Sequence, residues 1–176
     1  GDRIPRLAGM ARLLVIHHSP TRALQALTGQ VLAGTRDDAI EGVEVVERQA
    51  LDFATGDAGA DDLLAADGYL LGTTANFGYM SGALKHFFDT IFLEAGGALT
   101  DDGSAAGGSA APAPRKPWGL FVHGRYDTTG AVRSVQAIVG ALPWRQAAPV
   151  LEVLGDPTDE HRAAAYELGG TLAALL

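Results

Sequence analysis

Residues 72–89 read Gly-Thr-Thr-Ala-Asn-Phe-Gly-Tyr-Met-Ser-Gly-Ala-Leu-Lys-His-Phe-Phe-Asp, and this stretch decides the fold. The apolar run before it, at 69–71, is typical of a buried strand. After the polar loop, apolar residues recur with helical spacing at 80, 84, 87, 88, 91 and 92. A strand, a loop and a helix in this order predict that the loop lies at the carboxyl edge of a sheet, where α/β proteins bind ligands. Its glycines, amide and aromatics suit a flat, polar-edged ring better than a metal ion.

Strand and helix patterns alternate five times along the chain. The predicted strands are 13–16, 43–46, 68–73, 118–123 and 150–154. The first predicted helix follows the first strand, with Ser19 as its N-cap. The second and third cover 58–66 and 80–93. The fourth has apolar residues at 132, 135, 139 and 142, and the last turns Leu168, Leu172 and Leu175 inward. The alternation predicts an α/β fold with a doubly wound parallel sheet of five strands. The order 2-1-3-4-5 suits this length and would bring the loops after strands one, three and four together.

Composition excludes several classes of protein. With 13 basic and 21 acidic residues the formal charge is −8, which argues against nonspecific nucleic-acid binding. The absence of cysteine excludes disulfides, thiolate catalysis and Cys-ligated metals. No apolar run reaches the roughly 18 residues of a membrane span, and no signal peptide is visible, so we expect a cytoplasmic protein.

The 176 residues fit one domain. We expect residues 1–10 to be an N-terminal arm or a remnant of expression, and 11–176 to be the folded domain. Within it, 96–116 is rich in Gly, Ala, Ser, Pro and Asp and predicts a flexible insertion. The alternative for this segment is a lid or a subunit contact beside the site.

Three loops carry the candidate chemistry. The first, from His17 to Leu24, opens a helix whose N-terminus offers unpaired N–H groups to an anion; the alternative is a plain N-cap. The loop after strand three would hold a ring, or be only a glycine-containing turn with surface aromatics. The loop after strand four, from His123 to Gly130, has donors and an aromatic, or simply ends in a Thr129 cap. Together the three predict a ligand site at one edge.

Metal and hydrolase chemistry find little support. The five histidines form no His-x-x-x-His or Glu-x-x-His pair, so we expect no metal site. The sequence Gly-Tyr-Met-Ser-Gly at 78–82 has the wrong spacing for a Gly-x-Ser-x-Gly nucleophile turn.

Residues 73–89 resemble the signature of flavodoxin-like NAD(P)H-dependent FMN reductases and their quinone-reductase relatives. That signature has an aromatic- and glycine-containing loop, then Met-Ser/Pro-Gly, then x-Leu-Lys-x-Phe-x-Asp. The resemblance extends through element order from Ala11 to Leu176, and Arg115-Lys116-Pro117 is similar to the family's Gly-Lys-Pro before strand four. Thr74 stands where the family usually has proline. The implied fold is a flavodoxin-like three-layer sandwich.

The resemblance implies non-covalently bound FMN, with NAD(P)H as co-substrate. It implies phosphate contacts at the first loop, ring contacts at the loop after strand three, and contacts to the other ring edge after strand four. The implied residues are, in that order, Ser19, Thr21, Arg22, Ala23 and Leu24; Thr74, Ala75, Asn76, Phe77 and Gly78; and His123, Gly124, Arg125, Tyr126 and Asp127.

The function implied is an oxidoreductase that passes hydride through FMN to a quinone, a flavin or a similar small acceptor, with the chemistry on the cofactor rather than on a catalytic side chain. Such proteins are commonly homodimers or homotetramers. Two alternatives stay open. One is a flavodoxin-type electron carrier that docks on a basic protein partner, and the other is an interaction module that has lost its cofactor.

Overall fold

A computed structural model describes residues 9–97 and 115–176. Most of the predicted N-terminal arm (1–8) and of the predicted insertion (98–114) lies outside the described residues. The described parts form three layers, a central sheet with helices on both faces, which is the predicted α/β class. None of the helices in these two ranges is long and apolar enough to cross a bilayer.

The sheet is built from strands whose bounds extend the apolar runs seen in the sequence. They are β1 (Ala11–His17), β2 (Val43–Gln49), β3 (Gly68–Asn76), β4 (Tyr79–Met80), β5 (Lys116–Gly124), β6 (Trp144–Gln146) and β7 (Leu151–Leu154). The path β2-β1-β3-β5-β6 is parallel throughout, and β7 also pairs with β5. Since β5 is the fourth predicted strand and β7 the fifth, the predicted order 2-1-3-4-5 is confirmed.

The fifth position of the sheet is filled by two short strands. β6 pairs with the start of β5 at 116–118, and β7 pairs with its end at 121–124. The four residues between them include Pro149, which lacks the N–H that a continuous ladder needs. Sequence patterning predicted β7 alone, because β6 has only three residues.

The helices cover both faces of the sheet. They are α1 (Arg22–Thr35), α2 (Asp52–Thr55), α3 (Ala60–Leu64), α4 (Gly82–Ile91), α5 (Thr129–Val139) and α6 (Asp159–Ala174). The core between the sheet and α1 and α6 contains Leu13, Leu24, Leu27 and Leu172, all fully buried. The opposite core contains Phe53, Leu84, Phe87, Phe88 and Val135, from α2, α4 and α5.

Two local predictions are wrong. The N-cap of α1 is Thr21, whose hydroxyl accepts from the Leu24 N–H, and not Ser19. Leu175 is 48% exposed rather than turned inward, because α6 ends at Ala174 and the chain no longer follows its buried stripe. The short helix predicted over 58–66 is present as α3 with narrower bounds. The short α2 before it was not predicted, because it has too few residues to show a period.

Candidate functional site

The carboxyl ends of three neighbouring strands lie in register. His17 of β1 pairs with Gly72 of β3, and Thr74 of β3 pairs with His123 of β5. Gly124 then pairs with Leu154 of β7. The loops that leave these strands therefore meet at one edge, as the strand order predicted. We call the loops 18–21, 77–78, 125–128 and 155–158 the carboxyl rim.

Ser19, in the first of these loops, is held from several sides. Its hydroxyl lies 2.8 Å from His17 Nδ1 and 2.7 Å from Thr28 Oγ1, and its carbonyl accepts from the Gln25 amide at 3.1 Å. His17 Nε2 lies 2.8 Å from a carboxylate oxygen of Glu47, on the neighbouring strand β2. The Ser19 side chain is thus part of a network that fixes the path from β1 into α1.

The first turn of α1 follows directly. Thr21 caps it, which engages the Leu24 N–H, and the Leu24 side chain is fully buried in the core. The N–H groups of Arg22 and Ala23 precede that capped position, where no intrahelical carbonyl can accept from them. The Arg22 side chain is exposed, and α1 has no acidic residue in its first turn. This end of α1 therefore presents donors and positive charge toward the rim.

The loop after β3 is a two-residue hairpin rather than an open loop. Asn76 pairs with Tyr79 across the turn, and both central residues have positive φ, 51° at Phe77 and 75° at Gly78. Two consecutive positive φ angles are the geometry of a type I′ turn, which suits Asn-Gly and strains a bulky aromatic. Phe77 is nevertheless at the first central position and its side chain is fully exposed. Such outliers cluster where function requires them.

The hairpin is fixed to the helix layer beneath it. The N–H of Met80 donates to the Ser134 hydroxyl of α5 at 3.2 Å, and the N–H of Ser81 donates to the Thr73 hydroxyl at 3.0 Å. Ser81 also caps α4 by accepting from the Leu84 N–H. The Met-Ser-Gly of the sequence signature therefore has a structural role: it closes the hairpin and starts α4.

The loop after β5 is tied to the segment that follows β7. His123 Nε2 lies 2.6 Å from the Gly155 carbonyl oxygen, and because that oxygen only accepts, Nε2 carries the proton. The Thr128 hydroxyl donates to Glu152 at 2.8 Å. His123 is only 7% exposed, and its hydrogen bond links the loop after β5 to the segment after β7. Gly124 is buried, and a Cβ there would lie 3.2 Å from that of Ala75, which keeps β3 and β5 close at this point.

The charged residues of this loop have local partners. The Asp127 carboxylate accepts a hydrogen bond from the Thr129 N–H, which is the main cause of the lowered pKa of Asp127 and fixes the start of α5. Arg125 lies 3.8 Å from the fully exposed Asp156, a contact that solvent screens. Tyr126 makes none of these contacts and is 89% exposed.

Two buried polar atoms at the rim have no hydrogen-bond partner. They are Thr74 Oγ1 and His18 Nδ1, and Arg48 Nε on β2 is the third such atom among the described residues. Burial lowers the pKa of His18, and the adjacent His17 lowers it further, so the neutral ring is favoured. Native structures leave few buried polar atoms unsatisfied, so these two mark a place for a polar ligand or water.

The structure shows where the predicted site residues lie and what their side chains contact. The loops after β1, β3 and β5 follow neighbouring strand ends, and the side chains of four predicted site residues hydrogen-bond within the protein: Ser19, Thr21, His123 and Asp127. Sequence reasoning missed Glu47 and Gly155, whose roles follow from strand pairing and not from any local motif. Across 9–97 and 115–176, no three His, Asp or Glu side chains are grouped closely enough to hold a metal ion.

No protein-family model matches the chain. Solved structures do resemble it. Flavodoxin 1 from Bacillus cereus is 17% identical with a TM-score of 0.69, over 94% of this chain and 99% of that one. An archaeal flavodoxin is 18% identical with a TM-score of 0.67, over 92% and 96%. A WrbA-like flavodoxin from Agrobacterium tumefaciens is 16% identical with a TM-score of 0.60, over 94% and 96%. At these identities the likeness establishes the flavodoxin-like fold and no more.

Proposed function

We propose that the chain binds FMN at the carboxyl rim and acts as an oxidoreductase. The observation that carries the proposal is the placement of Phe77 and Tyr126. They are the two most exposed large apolar side chains of the described residues, and they lie on loops after adjacent strands, β3 and β5. Exposed aromatics on fixed loops are suited to stacking on a flat ring.

The remaining parts of the rim fit the other portions of an FMN molecule. The first-turn N–H groups of α1, with Arg22 beside them, suit a phosphate. Thr74 and His18 have buried polar atoms without a hydrogen-bond partner, which polar groups of FMN could satisfy. The residues that would hold FMN are therefore the first turn of α1, the hairpin 76–79 with Thr74 and Ala75, and the loop 124–127. FMN, when bound, would supply the capacity to accept and release hydride or electrons.

The protein's own contribution would be binding, orientation and electrostatic tuning. Phe77 is presented by a hairpin that cannot move without disturbing α5, so a stacked ring would be held in one orientation. Backbone N–H groups of the hairpin and of loop 124–127 would stabilise negative charge on the ring. No side chain is required as a general acid or base.

We propose NAD(P)H as the hydride donor and a quinone, a free flavin or a similar small molecule as the acceptor. The support is the resemblance of residues 73–89 to the reductase signature. A homodimer or homotetramer is part of the same proposal, and light scattering on the purified protein tests it.

The test of FMN binding is direct. Purified or FMN-reconstituted protein should show the visible absorption of bound FMN and should quench FMN fluorescence at a one-to-one ratio. NAD(P)H should then be oxidised in the presence of benzoquinone. A protein that neither copurifies with FMN nor takes it up on reconstitution ends the proposal.

A flavodoxin-type carrier is the second candidate, and the charge around Tyr126 favours it. Asp127 is exposed within this loop and the exposed Asp156 lies 3.8 Å from its Arg125, in a chain of net charge −8. A chain with this net negative charge suits a basic protein partner. The carrier predicts negligible NAD(P)H oxidation with benzoquinone, together with rapid, salt-sensitive electron delivery from the reduced holoprotein to a basic redox protein such as cytochrome c.

A further inference from the structure

Two adjacent buried threonines in β3 differ in how their hydroxyls are satisfied. Thr73 is fully buried; its hydroxyl donates to the Thr74 carbonyl at 2.8 Å and accepts from the Ser81 N–H at 3.0 Å. Thr74 is 6% exposed, and its Oγ1 has no partner. A buried hydroxyl without a partner destabilises a fold, so this one is expected to serve another molecule.

The position of Thr74 defines what it faces. Side chains alternate along β3, so Thr74 shares the sheet face of Leu70 and Gly72, the face that α1 and α6 cover. Gly72 pairs with His17, at the end of β1, and Thr74 pairs with His123, near the end of β5. Thr74 therefore lies on the central strand, between the strand that leads to α1 and the strand that leads to Tyr126.

The neighbours of Thr74 on the two sides suit different chemistry. The first turn of α1 offers N–H donors and positive charge, whereas Phe77 and Tyr126 offer apolar faces. A neutral hydroxyl between these two ends, able to donate one hydrogen bond and accept others, is placed to meet a hydroxylated chain that runs from a phosphate at α1 to a ring at Phe77 and Tyr126. In FMN, a chain of this kind joins the ring to the phosphate.

We propose that the Thr74 hydroxyl is a specificity-determining contact for the polyol chain of the bound flavin. This assignment rests on the proposed FMN function and adds the part of the ligand that Thr74 recognises. Thr74 stands where the resembling reductases usually have proline, which has no hydroxyl to offer, so the contact is a feature of this chain.

The test uses Thr74→Val, which keeps the shape of the side chain and removes the hydroxyl. The thermal midpoint of the ligand-free variant should equal or exceed that of the wild type, because no internal hydrogen bond is lost. Affinity is then measured by fluorescence titration with three flavins: FMN, riboflavin, which has the polyol but no phosphate, and lumiflavin, which has the ring alone.

We expect Thr74→Val to lower the affinity for FMN and for riboflavin by a similar factor of about ten, and to leave the affinity for lumiflavin unchanged. Equal weakening of all three flavins would place the hydroxyl against the ring and overturn the assignment. A lower affinity for FMN alone would place the Thr74 hydroxyl against the phosphate and would also overturn the assignment. Unchanged affinity for all three would show that a buried water satisfies Thr74, and this too overturns it.

Two further variants serve as controls. Thr73→Val removes a hydroxyl that has two partners in the protein, so its ligand-free thermal midpoint should fall where that of Thr74→Val does not. Thr74→Ser retains the hydroxyl and should bind FMN within about twofold of the wild type, even if Thr74→Val folds poorly. If the wild type binds no flavin, the proposed function itself fails; if it binds FMN but Thr74→Val does so equally well, only the Thr74 assignment fails.

Discussion

Gly130, in the first turn of α5, packs directly on the carbonyl oxygen of Gly78. A Cβ on Gly130 would lie 2.0 Å from that oxygen, so the hairpin tip occupies the space that any side chain would need. Gly130→Ala should therefore displace the hairpin, lower the unfolding free energy by about 1–3 kcal/mol and weaken FMN binding. Thermal melts and FMN titrations of the variant measure both effects.

Gly29 provides the matched control for that substitution. It is an exposed helical glycine with nothing within 4 Å of the position of a Cβ. Gly29→Ala should raise the unfolding free energy by about 0.5–1 kcal/mol and leave FMN affinity unchanged. Equal effects of the two substitutions would mean that the close approach of Gly130 to Gly78 is not what holds the hairpin.

Phe77 is expected to lower the stability of the ligand-free protein and to raise its affinity for FMN. Asparagine tolerates the left-handed backbone that Phe77 adopts at φ 51°, so Phe77→Asn should stabilise the ligand-free protein by about 1 kcal/mol. The same change removes an exposed aromatic ring and should lower the affinity for FMN severalfold. Chemical denaturation and fluorescence titration report the two quantities separately.

Phe77→Ala separates the two causes. Alanine also lacks the ring but is unfavourable in the left-handed region, so this variant should lose FMN affinity without the gain in stability that asparagine gives. A Phe77→Asn variant no more stable than Phe77→Ala would contradict the attribution of strain to this residue.

Gly169 and Gly170, neighbours in α6, should respond in opposite ways to alanine. A Cβ on Gly169 would lie 2.0 Å from the Val31 carbonyl oxygen of α1, whereas one on Gly170 would meet only the Gly34 oxygen at 3.5 Å, an ordinary contact. Gly169→Ala should cost about 2–3 kcal/mol, a fall in Tm of roughly 4–12 °C. Gly170→Ala should leave Tm unchanged or raise it, and calorimetry of the pair decides the matter.

The Tyr166–Asp37 hydrogen bond should make stability depend on pH on the acid side. The Tyr166 hydroxyl, and secondly the Ala39 N–H, lower the pKa of Asp37 below its ordinary 3.8. Because the folded-state pKa is depressed, this stabilisation is present above the unfolded pKa and is lost as pH falls through the folded one. Tyr166→Phe should raise the Asp37 pKa in an NMR titration and reduce stability at pH 5–7 more than at pH 2. An unchanged Asp37 pKa would contradict this.

The sequence was sufficient to predict the fold because its central strands contain short, unbroken apolar runs. The predicted strands 13–16, 68–73 and 118–123 correspond to β1, β3 and β5, and the helical spacing from position 80 corresponds to α4. Short elements were missed for a physical reason: β4, with two residues, and β6, with three, are too short to show a period. Their existence depends on pairing with β3 and β5.

The convergence of the loops at one edge could be predicted from the sequence, but the contacts of their side chains could not. The loops converge because parallel strands in the order found must end at one edge. That Ser19 is held by His17 and Thr28, or that His123 reaches Gly155, depends on side-chain directions that a sequence does not specify. The strained turn at Phe77 was also missed, since propensity alone would reject an aromatic there.

The division of the fifth sheet position between β6 and β7 has a consequence for solubility. An uninterrupted strand at the border of a parallel sheet exposes a row of N–H and C=O groups on which another polypeptide can add, and such borders seed aggregation. Here the row is broken after three residues, and Pro149 in the break has no N–H to give. Replacing 147–150 with residues that continue the strand would create a longer template and is expected to make the protein prone to form fibrils.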